Sequence, residues 1–115
     1  MFSLSESLNY YLYRFPTDMR KSFDALSGLV LDKIKRNPQS GEVYIFVNKN
    51  RNLMKLLNWQ EGGFVLYYKR LEKGTFQLPK IQDISNEIRL SQTELILIIR
   101  GISMENIRQK KRYKS

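Results

Sequence analysis

Residues 43–71 read VYIFVNKNRNLMKLLNWQEGGFVLYYKRL. Three runs of aliphatic, β-branched and aromatic residues are separated by two short breaks, Lys49-Asn50-Arg51-Asn52 and Glu61-Gly62-Gly63. The spacing predicts three antiparallel strands joined by two hairpins. Val43 to Asn48 is apolar on both faces, which suits a central or well-covered strand. The next strand, Leu53 to Gln60, sets Leu53, Lys55, Leu57 and Trp59 on one face and Met54, Leu56, Asn58 and Gln60 on the other. The third, Phe64 to Leu71, carries Phe64, Leu66, Tyr68 and Arg70 on one face and Val65, Tyr67, Lys69 and Leu71 on the other. Aromatics and cations thus share the same strand. Either the sheet end meets solvent, where Lys and Arg reach past the rings, or rings and cations form a surface for phosphates and bases.

Working outward, Tyr10 to Phe15 is rich in strand formers and Pro16 ends it. Asp18 offers an N-cap for a helix running to about Arg36, with Phe23, Leu26, Val30 and Ile34 on one face. Asn37-Pro38 stops it. Past the hairpins, Glu72-Lys73-Gly74 turns the chain, Thr75 to Leu78 suits a short edge strand, and Ile88 to Leu90 a short extended piece. Ser91-Gln92-Thr93-Glu94 fits a capping box for an apolar helix through Ile99 or Arg100, and Gly101 fits its stop. These elements give an α+β fold: a small antiparallel sheet of about four to five strands with helices packed on it. Residues 1–107 form one globular domain, and residues 108–115 are expected to be a disordered basic tail.

The chain has 115 residues, enough for a single core. Twenty Lys and Arg against eleven Asp and Glu give a formal charge of +9. Five of those cations fall in the last eight residues, and residues 43–80 hold seven cations against two acids. Such an excess favours polyanionic partners, or else serves solubility alone. The absence of Cys and His excludes the usual zinc sites and His-dependent triads. Cysteine-free composition and the lack of a signal-like N-terminus or a long apolar run fit a cytoplasmic protein with no membrane partner. The carboxylates are scattered, Asp32 and Arg36 make an ordinary i,i+4 pair, and no phosphate-binding glycine motif is present. A nonenzymatic protein without metal or cofactor is expected.

The candidate phosphate-binding residues are Arg20, Lys21, Lys49, Arg51, Lys55, Lys69, Arg70 and Lys73. Arg20 and Lys21 fall in the first turn of the expected helix, where cations are unfavourable unless an anion is bound; the alternative is pairing of Arg20 with Asp18 or Asp24. Lys55 is expected to approach Lys69 or Arg70 across the hairpin, where like charges weaken a sheet; the alternative is simple solvation. Lys49 and Arg51 lie in a loop of hydrogen-bond donors, and Lys73 follows in the next turn. Trp59 suits the core better than a base-stacking role.

An ordered series of motifs adds a resemblance. It comprises DMRKSFDAL at 18–26, P-x-S-G at 38–41, VYIFVNKNRNLMKLLNW at 43–59, GFVLYYKRLEKGTFQLP at 63–79 and Ile98-Ile99-Arg100-Gly101. With these the sequence resembles the TnpB-type accessory proteins of the bacterial insertion-sequence family numbered sixty-six. Ser22 and Ala25 stand where that family commonly has glycine. The resemblance implies a small protein of a mobile element, encoded beside a separate transposase and accessory to transposition. It does not imply the RNA-guided nuclease that shares the letters TnpB, which is several times longer and carries an acidic triad and zinc-type cysteines. DNA, especially the element ends, and the transposase are the partners expected. Either the basic surface binds DNA, or the domain docks on the transposase without touching DNA itself.

Overall fold

The structure is a computed structural model of the chain and describes residues 8–80 and 85–101. Five strands form one sheet: β1 (Tyr10–Tyr13), β2 (Val43–Val47), β3 (Leu53–Gln60), β4 (Gly63–Arg70) and β5 (Glu87–Leu90), in the order β4-β3-β2-β1-β5. The α+β reading holds, and so does the central position of β2, whose five residues are all buried. One pairing departs from the antiparallel expectation: β1 runs parallel to β2. The helix between them explains it, because a strand-helix-strand crossover returns the chain in the same direction. The piece at Ile88 to Leu90 is β5, which pairs antiparallel with β1.

Helix α1 spans Phe23–Leu29 and continues as a π-helical turn over Val30–Ile34, closed by Lys35 in the left-handed region. It starts later than the sequence predicts, with Ser22 rather than Asp18 at its N-cap. Asp18 instead accepts the Arg20 N–H on its own side chain, a local turn that competes with helix. Leu26, Val30 and Ile34 are buried as expected, whereas Phe23 is exposed. Helix α2 (Gln92–Ile99) carries the predicted capping box: Ser91 Oγ accepts from Glu94 N–H and the Glu94 carboxylate accepts from Ser91 N–H.

Each sheet face has its own core. On one side Leu26, Val30 and Ile34 cover Tyr11, Tyr44, Phe46 and Leu57. On the other, Leu95 and Ile98 of α2 cover Leu12, Val43, Ile45, Met54 and Leu56. Thr75 to Leu78 is irregular rather than an edge strand. There Phe76 drops fully buried into the α2-side core, and its N–H donates to Arg51 O at 2.7 Å. The β3–β4 hairpin closes through Glu61 and Gly62, both at positive φ, pairing Gln60 with Gly63. A two-residue turn of this handedness matches the strand twist, and Gly62 adopts it without a Cβ penalty.

Candidate nucleic-acid interface

The register decides where each cation goes. Lys55 lies opposite Tyr68, Met54 opposite Lys69 and Leu53 opposite Arg70. Lys55 and Lys69 therefore point to opposite faces, whereas Arg70 shares the Lys55 face but stands opposite Leu53, diagonal to Lys55 rather than across from it.

Lys55 is buried on the α1 side. Its Nζ donates to Met19 O at 2.8 Å and to Lys21 O at 2.7 Å, and lies 4.7 Å from the centre of the Tyr68 ring. An ammonium has three donors; two of them go to these carbonyls, and the charge lies against the Tyr68 ring. In a longer helix the carbonyls of Met19 and Lys21 would accept from the N–H groups of residues 23 and 25. Lys55 takes them instead, so the chain stays open until Ser22. The residue is thus a peg beneath the loop that carries Arg20 and Lys21.

Lys69 is also internal in its bonding. Its Nζ donates to Ile99 O at 3.0 Å, in the last turn of α2, where a cation complements the helix dipole. Arg70 is exposed and pairs with Glu72 at 3.3 Å.

Six of the eight sequence-predicted residues gather at one end of the sheet. The β1–α1 loop (Arg20, Lys21), the β2–β3 loop (Lys49, Arg51) and the end of β4 with its turn (Arg70, Lys73) all lie there. Backbone bonds from Thr17 N–H to Val47 O and from Leu71 N–H to Asn52 O tie the three segments together. Within the β2–β3 loop, Asn48 Oδ1 accepts from the N–H groups of Asn52 and Leu53, fixing the backbone that presents Lys49 and Arg51. Arg51 sits at φ 56°.

Between the first two loops is an open depression of about 570 Å³ lined by Asp18, Arg20, Asn48, Lys49, Leu53 and Tyr68, among others. Tyr68, with 53% of its surface exposed, forms part of this lining. Arg20 binds the Asp18 carboxylate through Nε and Nη2, the latter at 2.6 Å, and this guanidinium holds the Asp18 pKa down at about 2. Its charge is therefore largely compensated locally. Among the described residues no carboxylate makes an ion pair with Lys21, Lys49, Arg51 or Lys73. Tyr68 is the residue that sequence reading did not single out; its alternation with Arg70 was visible, but not the depression beside it. Trp59 is half-buried at the far end of the hairpin, edge-on to Phe64 at 4.9 Å.

Among the described residues, no group of three or more acidic side chains could hold a metal ion, and no helix is long and apolar enough to cross a membrane.

The chain matches the family described as IS66 Orf2 like protein over residues 8–109. Among curated proteins, it is 26% identical over 110 residues to the uncharacterized protein y4jC of Sinorhizobium fredii, covering 96% of this chain and 92% of that protein. It is 33% identical over 87 residues to the uncharacterized protein y4hO of the same organism, covering 75% of this chain and 73% of that one. No solved structure matches. With the matched span taking in every strand and helix, the chain belongs to the IS66 Orf2-like family, the accessory proteins of IS66 transposition.

Proposed function

We propose that the protein is a nonenzymatic accessory of insertion-sequence transposition that binds DNA by its backbone, acting in the cytoplasm with the element's transposase and the element ends as partners. The observation that carries this reading is the convergence of Lys21, Lys49, Arg51 and Lys73, free of carboxylate ion pairs among the described residues, at the sheet end that also exposes Tyr68. Cations on fixed loops neutralise phosphates, and an exposed ring offers a stacking face to an unpaired base. Arg20 and Arg70 flank this surface with charge already shared with Asp18 and Glu72. Lys55 and Lys69 support it from inside.

A salt titration of binding to element-end DNA and to scrambled DNA tests the proposal. Duplex affinity should fall with a log–log slope near −0.9 per phosphate neutralised. The double variant Lys49→Ala, Arg51→Ala should reduce that slope by about two on both sequences, since phosphate contacts carry no sequence information. An unchanged slope would remove the loop from the interface.

Docking on the transposase is the second reading. It is favoured by exposed apolar side chains on the α1 side, with Phe15 at 44%, Phe23 at 42% and Leu31 at 60%. Binding to DNA that requires the transposase would select it.

A further inference from the structure

The two edges of the sheet differ. β5 is four residues long and carries Glu87 and Arg89, features that discourage pairing with another chain. β4 is eight residues long, free of proline, and apolar from Phe64 to Tyr68. Among the described residues nothing pairs with its outer side. The chain leaving β4 turns back under the α2 face, where Leu71 and Phe76 pack, rather than along this edge.

The register identifies the open groups. Gly63 closes the hairpin opposite Gln60, and Leu71 N–H donates to Asn52 O, so the odd residues of β4 bond to β3. In an antiparallel ladder the intervening residues turn their N–H and C=O the other way. Phe64, Leu66, Tyr68 and Arg70 therefore offer an unbroken row of donors and acceptors at the free edge.

We propose that a second copy of this chain occupies the edge, β4 against β4 and antiparallel, to give a two-fold dimer with a continuous ten-stranded sheet. One register satisfies the row completely: Phe64 opposite the partner's Arg70 and Leu66 opposite the partner's Tyr68. Every outward N–H and C=O from residues 64 to 70 then finds a complement. The same register puts Tyr67 opposite its own copy and Val65 opposite the partner's Lys69.

Charge selects this arrangement over a parallel one. The hairpin end of β4 carries Glu61, and the other end carries Lys69, Arg70 and Lys73. Antiparallel pairing brings Glu61 toward the partner's Arg70 and Lys73 and keeps the cationic ends apart. Parallel pairing would set cations side by side, which destabilises a ladder. Because the two-fold axis runs through the sheet, both α1 helices remain on one side, and the two cationic ends lie at opposite ends of the seam. The proposal stands independently of DNA binding.

Sedimentation equilibrium of the full chain, from micromolar to sub-millimolar concentration, gives the first reading. A mass of twice the 13.7 kDa chain is expected at the upper end. The register is tested by Val65, which belongs to neither core. Val65→Lys would face the partner's Lys69 twice by symmetry and should raise the dimer dissociation constant by about tenfold, whereas Val65→Glu should lower it several-fold. Amide exchange should show protection of Phe64, Leu66, Tyr68 and Arg70 that grows with protein concentration. A monomer throughout, or a dimer moved in the same direction or not at all by the two substitutions, would overturn the proposal. Circular dichroism checks that each variant is folded. If one is not, the remaining variant together with the exchange pattern decides.

Discussion

The ammonium of Lys55 sits 4.7 Å from the centre of the Tyr68 ring, directly across the β3–β4 ladder from it. One cation thereby joins the hairpin to the loop before α1, since the same Nζ holds the carbonyls of Met19 and Lys21. The apolar stem of Lys55 runs through the sheet face beside Phe46, and only the head is polar.

Lys55→Met should therefore act on folding. It leaves two carbonyls without their donor, at a cost of about 1–3 kcal/mol. Chemical denaturation measures this. In the folded variant the salt slope of DNA binding should stay within error of the wild type. A slope reduced by one, with stability intact, would instead make Lys55 a phosphate ligand.

Arg70→Ala should do the opposite. Arg70 is solvent-exposed and shares its charge only with Glu72. Its loss should change stability by less than about 1 kcal/mol. If Arg70 contacts a phosphate, DNA affinity should weaken across all sequences and the salt slope should fall by about one. Lost stability with an unchanged slope would exclude it from the interface.

Lys69→Met tests the other face. With Ile99 O deprived of its donor, α2 should fray at its C-terminal turn, at a cost of about 1 kcal/mol. Hydrogen exchange in α2 should quicken, while DNA binding is unaffected.

Tyr44 gives a pH signature. Burial, above all, pushes its phenol from the ordinary value of 10.0 up to about 12, and its hydroxyl donates to Asn37 O. A raised pKa in the folded state means that the stabilisation is fully present below pH 10 and is lost as pH rises through 12. Tyr44→Phe should cost about 1 kcal/mol at neutral pH. The stability gap between wild type and variant should narrow across that alkaline window. A gap that widens there would contradict the assignment.

Ser91→Ala removes one half of the capping box and leaves Glu94 N–H without its acceptor. A loss of about 1 kcal/mol is expected in thermal or denaturant unfolding.

The sequence by itself determined the features that depend on near neighbours. Alternation over residues 43–71 contained β2, β3 and β4; Ser91 and Glu94, three residues apart, contained the cap; and the spacing of Leu26, Val30 and Ile34 contained the buried face of α1. Each rests on the strand or helix period, or on a contact within one turn. The motif series was likewise sufficient to indicate the family, because it is a property of residue order. Tertiary structure decided the rest. The carbonyls that receive the Lys55 ammonium lie 34 and 36 residues away in sequence, and that which receives Lys69 lies 30 away. No local pattern distinguishes such a lysine from a solvated one. A single step in hairpin register set Lys55 against Tyr68 and turned Lys69 to the opposite face, since side chains alternate with a period of two. The parallel β1–β2 pair, the burial of Phe76 and the exposure of Phe23 arose in the same way, from segments distant in the chain competing for the two faces of one sheet.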